Sequence, residues 1–178
     1  MFDDAPAAAL FGDLHNHCNI SYAHGNLQDA LENATLRLDF VSITGHADWP
    51  DMDADDPRIA HIVDFHQKGF AKLRAGWDTY LHALADFERK RDLITYPGYE
   101  IHSNEHGDYT IVGREHGLAM ELAQSPQDLR THFDRKHGGG NDAAPVLLFP
   151  HHIGYRPGAR GINWESFNER FSPVVEVY

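Results

Sequence analysis

The sequence has few of the features that membranes or nucleic acids require. No apolar run approaches the roughly 20 residues that span a bilayer, and the beginning, MFDDAPAAALFGD, carries acids where a signal peptide carries Lys or Arg. The single cysteine, Cys18, cannot form an internal disulfide, which favours a reducing compartment. The net charge of -12 disfavours broad nucleic-acid binding, which depends on Lys and Arg. We expect a cytoplasmic protein that binds neither membranes nor nucleic acid broadly.

Histidine is what this acidic chain has in excess, with 14 in 178 residues. Neutral imidazole is a common metal ligand, so this number raises the expectation of a metal site. Hydrophobic residues make up 42% of the chain, enough to form a core. The length suits one domain, which we expect to cover residues 1–178.

Short apolar runs alternate with helical patterns along the chain. Six runs have the length and composition of buried strands: 8–14, 40–44, 93–96, 109–112, 146–149 and 174–178. Helical spacing is found at 27–38, from Pro57 to Phe87 with a break at Gly69 or Gly76, and at 126–136. This alternation predicts a parallel sheet or, more specifically, a β/α barrel.

Histidines and acids follow directly after several of these runs. The candidates are His15, His17, His46, Glu100, His151 and His152. The carboxyl ends of barrel strands meet at one face, so these side chains are expected to converge there. His15 and His17 point to the same side of a strand, as does Asp13, and the two imidazoles can bind one ion together. Glu100 has two carboxylate oxygens and can bridge two cations.

Other candidates have more than one interpretation. His24 is either a ligand or a solvated loop residue. His106 is preferred as a ligand over His102 and Glu105, which are expected to be loop residues. Neighbours on a strand face opposite ways, so His151 is the expected ligand and His152 is expected to contact a ligand or the substrate.

Two arginines follow the HH pair in the segment GYRPGARG. Arg156 and Arg160 are candidates for binding a leaving group or a phosphate, because one guanidinium group can donate two parallel hydrogen bonds to phosphate oxygens. The alternative is an exposed turn with no role in the site.

The motifs GDLHNH, SITGH, PGYE and FPHH, with His24 and His106 in the loops between them, resemble in order the PHP family, named for its polymerase and histidinol phosphatase members. The resemblance implies a distorted seven-stranded β/α barrel that hydrolyses small phosphoesters with a hydroxide bridged by two or three Zn, Mn or Fe ions. It also implies ligands. His15 and His17 would bind the first ion, Glu100 would bridge the first and second, His106 and His151 would complete the second, and His24 and His46 would hold a third. His152 is retained as a further candidate ligand, and Glu100, His151 and Arg156 are the predicted catalytic residues.

The chain departs from the family at one point, because no DxH motif follows FPHH. We therefore expect about six strands, with the last part of the barrel missing. Two other functions remain open. One is an amidohydrolase-like enzyme that cleaves C–N or C–O bonds, although no lysine ends a predicted strand as those enzymes typically require. The other is a non-catalytic metal-binding PHP domain within a larger protein.

Overall fold

The computed structural model of the chain describes residues 8–137 and 144–177, which form a small α/β domain. Its five strands are β1 (Gly12–Asn16), β2 (Phe40–Asp48), β3 (Ile94–Ile101), β4 (Asp108–Gly113) and β5 (Val146–His151). Its three α-helices are α1 (Leu27–Ala34), α2 (Ala60–Glu88) and α3 (Pro126–His137). Within this described part of the chain, no helix has the length and apolar character needed to cross a membrane.

The strands form one mixed sheet, shaped as a half-barrel, in the order β1-β2-β3-β4-β5. The first three strands are parallel, whereas β4 is antiparallel to both β3 and β5. The prediction of a seven-stranded β/α barrel is therefore wrong. Only residues 102–107 separate β3 from β4, and a parallel crossover needs a dozen or more residues. The chain turns back instead, and β4 runs in the opposite direction.

The predicted sixth strand does not form over residues 174–177, and Tyr178 lies outside the described residues. This segment runs beside β5 with isolated hydrogen bonds. Leu148 N–H donates to the Phe171 carbonyl at 2.8 Å, and Glu176 N–H donates to the Pro150 carbonyl at 3.1 Å. The segment still brings Glu176 to the edge of the sheet, where it meets β1.

Helix α2 is continuous over Ala60–Glu88, so the predicted break at Gly69 or Gly76 is also wrong. Gly69 has a packing role within the helix. A Cβ atom there would lie 2.2 Å from Tyr22 Cδ1, so only glycine allows Tyr22 to approach the helix this closely. Apart from the local helix backbone, no heavy atom of the described residues lies within 4 Å of a Cβ atom added at Gly76.

The hydrophobic core lies between the helices and one face of the sheet. Leu31 of α1 and Leu73, Trp77 and Leu84 of α2 belong to a buried cluster with Val41, Ile43, Tyr99, Ile111 and Leu148 of the strands. Successive strand residues point to opposite faces, so the residues between these core positions face the other way. That second face carries His46, Glu100, Thr110 and His151, with His46 paired to Glu100 and Glu100 to Thr110 across the strands.

Candidate metal centre

The centre of the candidate site is the buried carboxylate of Glu100, whose residue is only 1% exposed. Its Oε2 atom faces three imidazole Nε2 atoms: His15 at 3.3 Å, His17 at 3.3 Å and His46 at 3.4 Å. Its Oε1 atom lies 3.0 Å from His151 Nε2 and 3.0 Å from His102 Nδ1. Both oxygens of one acid therefore contact nitrogen atoms that can bind metals.

Strand ends bring these side chains together. His15 is on β1, His46 on β2, Glu100 on β3 and His151 at the end of β5. The pairing register shifts between Asp13 and Asn16 and again between His46 and Asp48. Such irregularities bend a strand and redirect its side chains, and here both occur at the edge of the sheet that holds the site.

The second ring nitrogen of three of these histidines has its own partner. His15 Nδ1 lies 2.5 Å from Glu176 Oε2, His46 Nδ1 lies 3.4 Å from Ser21 Oγ, and His151 Nδ1 lies 3.4 Å from Thr110 Oγ1. A partner at Nδ1 fixes the ring orientation and favours the proton on that nitrogen. The Nε2 atom of each ring then faces Glu100.

The charges in the site shift the pKa values of its members in opposite directions. Burial opposes the charge on His15, but hydrogen bonds to Glu100 and Glu176 and the charges of those acids raise its pKa to about 9. Burial, together with the neighbouring His17, His102 and His15, lowers the pKa of His46 to about 3. Burial would raise the pKa of Glu100, but the surrounding histidines hold it well below its usual value. Glu100 is thus a carboxylate at neutral pH.

The spacing of these atoms fits a metal ion. Four ligands at about 2.0–2.1 Å in a tetrahedron lie about 3.3–3.4 Å from one another. The contacts of Glu100 Oε2 with His17 and His46, at 3.3 and 3.4 Å, are of this size, whereas that of Oε1 with His151 is shorter, at 3.0 Å. Residues 8–137 and 144–177 contain four groups of three residues whose ligand atoms lie within 4.8 Å of one another: His15–Glu100–His151, His17–His46–Glu100, Asp108–His151–His152 and Glu100–His102–Asp108. Two groups use neither Asp108 nor His102, and both share Glu100. These buried groups could hold metal ions.

Asp108 begins β4 and is completely buried beside this centre. Its Oδ1 atom accepts a hydrogen bond from Ser103 N–H at 3.1 Å. Its Oδ2 atom lies 2.7 Å from His152 Nδ1 and 3.2 Å from His102 Nδ1, and it accepts a hydrogen bond from the Arg160 guanidinium. Burial would raise the pKa of Asp108, but these three donors lower it, so Asp108 is also ionised.

Most of the predicted ligands lie in or beside this cluster. His15, His17, His46 and His151 surround the two oxygens of the predicted ligand Glu100, and His152 contacts Asp108. His152 enters the site because its backbone is left-handed, with φ of 55°, so strand alternation does not apply there. Asp13 accepts a hydrogen bond from His15 N–H at 3.0 Å and belongs to none of the four groups.

The structure does not bring the remaining predicted residues into the four ligand groups. His24 is exposed. The Nδ1 atom of His106 lies 3.5 Å from Ser166 Oγ, and its Nε2 atom lies 4.0 Å from the Glu105 carboxylate. Arg156 is exposed and makes no ion pair with any residue in the described ranges, whereas Arg160 is turned towards Asp108.

Three residues of the site were given no such role from the sequence. His102 was expected in a loop but is 1% exposed, and Asp108 precedes the fourth apolar run where no ligand was sought. Glu176 is a single acid within the otherwise apolar segment VVEVY, and that break in the pattern is a signal that could have identified it.

Comparisons with known proteins bear on the fold and not on the site. No family model matches the sequence, and no curated protein matches it. The fold resembles that of a solved bacterial protein. PsfC from Pseudomonas syringae PB-5123, known from a crystal structure, aligns over 93% of this chain with a TM-score of 0.55 and 15% sequence identity. The chain spans about 64% of the length of PsfC, and at this identity the likeness shows a shared fold alone.

Proposed function

We propose that this protein is a metal-dependent hydrolase that cleaves small phosphoesters at a centre of two divalent cations bridged by Glu100. The observation that carries the proposal is the division of ligands around that acid. His15 and His151 form one ligand group with Glu100, and His17 and His46 form the other. A carboxylate shared in this way sets the separation of two ions, which neutral imidazoles cannot do.

The ligand atoms around Glu100 suit a catalytic centre of two cations. Imidazole nitrogen and carboxylate oxygen are ligands that Zn, Mn and Fe accept. Two such cations would lower the pKa of a water molecule and neutralise negative charge on a phosphoryl oxygen. Glu176, Ser21 and Thr110 hold the imidazoles of His15, His46 and His151 in position through their Nδ1 atoms.

Two features favour a phosphoester over other substrates. The motifs GDLHNH and PGYE, which resemble the PHP family, contain His15, His17 and Glu100 of the centre. A guanidinium, that of Arg160, lies at the edge of the centre, and its side chain is 25% exposed, as suits a group that binds phosphate oxygens. None of the five described strands contains a lysine, which disfavours an amidohydrolase-like site, since those enzymes typically use a lysine on a middle strand.

The test measures bound metal and turnover in the same preparations. Protein stripped with a chelator is reloaded with Zn²⁺ or Mn²⁺, desalted and measured by mass spectrometry of the metal. It is then assayed with an aryl phosphate and, for comparison, with an aryl amide and a lactone. Glu100→Gln removes the bridging charge at nearly constant volume. His82→Ala removes an exposed histidine that contacts the Asp78 carbonyl, and it serves as the matched control.

We expect about two ions per chain and aryl phosphate hydrolysis in the wild type and in His82→Ala, with both lost in Glu100→Gln. A wild-type chain without bound metal or phosphate hydrolysis would contradict the proposal. Preferred turnover of the amide or the lactone would identify an amidohydrolase-like enzyme instead. Stoichiometric metal without turnover would identify a non-catalytic metal-binding domain.

A further inference from the structure

The two buried acids of the site differ in what surrounds them. The carboxylate of Glu100 contacts only imidazole nitrogens among the described residues. An imidazole nitrogen can lose its proton and then bind the same metal ion as the Glu100 carboxylate. Asp108 Oδ2 instead has three hydrogen-bonding neighbours, and one of them, the Arg160 guanidinium, can never become a ligand or lose its charge.

The position of Arg160 overlaps with that of an ion at Asp108. Its terminal nitrogen donates to Asp108 Oδ2 and lies 2.9 Å from His102 Nδ1. These two atoms belong to the group Glu100–His102–Asp108, and Asp108 also belongs to Asp108–His151–His152. A cation bound by either group would have to share Asp108 with a positive charge, and like charges at this distance repel strongly inside a protein.

The loop that carries Arg160 holds the side chain there. Residues 156–161 form a tight turn, in which the amides of Ala159 and Gly161 donate to the Arg156 carbonyl at 3.0 and 3.1 Å. Arg160 itself has a left-handed backbone with φ of 65°, which directs it inward while Arg156 points outward. Its guanidinium also lies 5.2 Å from the centroid of the Trp49 ring, a cation–π contact.

We propose that the guanidinium of Arg160 takes the place of a metal ion at the Asp108 end of the site, so that the centre holds two ions around Glu100 and not a third. The inference rests on the proposed metal centre for the identity of those two ions. Asp108 then has a different task from Glu100, because it anchors a fixed positive charge instead of binding metal. That charge, one quarter exposed at the edge of the centre, is placed to bind an oxyanion of the substrate.

The test counts Zn²⁺ ions in three variants. Arg160→Ala removes the guanidinium and leaves the side chains of Asp108, His102 and His152 in place. Arg156→Ala removes an exposed arginine from the same loop and is the matched control. Asp108→Asn keeps the shape of the acid but weakens it as a ligand. Each purified chain is stripped, titrated with ZnCl2 in a calorimeter, and measured for bound zinc after desalting, with circular dichroism to confirm folding.

We expect Arg160→Ala to bind one more Zn²⁺ per chain than the wild type, and Arg156→Ala and Asp108→Asn to bind as many as the wild type. Equal zinc in Arg160→Ala and Arg156→Ala would overturn the inference, as would loss of an ion in Asp108→Asn. If Arg160→Ala does not fold, Asp108→Asn decides the question. A wild-type chain that binds no zinc contradicts the proposed function, and the inference is then decided by whether Arg160→Ala alone binds an ion.

Discussion

At the scale of single residues, His15 is the candidate ligand whose protonation is expected to affect metal binding most. It lies between two carboxylates, Glu100 and Glu176, at 3.3 and 2.5 Å, and these acids raise its pKa to about 9 despite its burial. At neutral pH the metal-free His15 is therefore protonated. A metal ion needs the neutral ring, so binding must release this proton.

This protonation predicts a pH dependence of metal affinity. Below about pH 9 the metal-free His15 holds a proton that the bound state lacks, so affinity rises with pH by about tenfold per unit. The raised pKa also means that the charged ring stabilises the metal-free fold below pH 6.5, an effect lost as pH rises through about 9. Calorimetric titration with Mn²⁺ between pH 6.5 and 8 measures the dependence, and an affinity that does not change over this range would contradict it.

Glu176 is predicted to act through His15. Replacing Glu176 with Gln removes the negative charge beside His15 Nδ1 and weakens the orientation of the ring. Loss of such an outer partner of a metal-binding histidine typically weakens affinity by about 10–100-fold. Weaker competition from the His15 proton offsets part of this loss at neutral pH, and we expect a Zn²⁺ affinity about tenfold weaker. Glu169→Gln, at an exposed position in the same part of the chain, is the control. Equal dissociation constants for the two variants would show that Glu176 has no positioning role.

The sequence predicted four of the five described histidines that contact Glu100, and His102 is the exception. His15, His17, His46, Glu100 and His151 all follow apolar runs, and the ends of β1, β2, β3 and β5 do meet at one edge. The placement of His24 and His106 depended on their order in a family resemblance. Loop residues are not fixed by strand periodicity, and the structure leaves these two outside the four ligand groups.

At the scale of elements, the direction of β4 explains why Asp108 was missed. The ends of parallel strands lie at one edge of a sheet, so an all-parallel sheet predicts ligands at the positions after each run. An antiparallel strand brings its beginning to that edge, and Asp108 is therefore paired with His151. The same reversal makes residues 102–107 a tight connection, which buries His102 beside Glu100.

Helix α2 provides a matched pair of glycine substitutions. At Gly76 an added Cβ meets no atom within 4 Å, so Gly76→Ala should raise the free energy of unfolding by about 0.5–1 kcal/mol through better helix propensity. At Gly69 an added Cβ would lie 2.2 Å from Tyr22 Cδ1, and overpacking of this kind costs about 1–3 kcal/mol.

Urea denaturation of the two variants measures these changes. Tyr22 stacks on His46 with ring centroids 4.1 Å apart and contacts His102, so its displacement by Gly69→Ala should also weaken metal binding. Equal stability of Gly69→Ala and Gly76→Ala would contradict the packing role assigned to Gly69.

At the scale of the whole molecule, the candidate metal centre connects parts of the chain that are distant in sequence. Its candidate ligands lie on or directly after four of the five strands, and Glu176 adds the segment that follows β5. The barrel was predicted wrongly because apolar runs show where strands occur and not which way they run. Strand β3 also extends to Ile101, beyond the run that ended at residue 96, so the connection to β4 is shorter than the sequence suggested.

Metal binding should therefore stabilise the domain as a unit. An ion that binds only the folded chain adds about 2.7 kcal/mol when its free concentration is 100 times the dissociation constant. We expect the melting temperature to rise with added Zn²⁺ and to fall again with a chelator. Glu100→Gln should show no such rise, and a wild-type melting temperature that is independent of metal would contradict the expectation.

The central claim is that Glu100 bridges two cations, and anomalous X-ray scattering from zinc-loaded crystals tests it most directly. We expect two zinc peaks, one near His15 and His151 and one near His17 and His46, each about 2.0–2.2 Å from an oxygen of Glu100. No peak beside Glu100, or a single ion bound at Asp108 in the place of the Arg160 guanidinium, would contradict it.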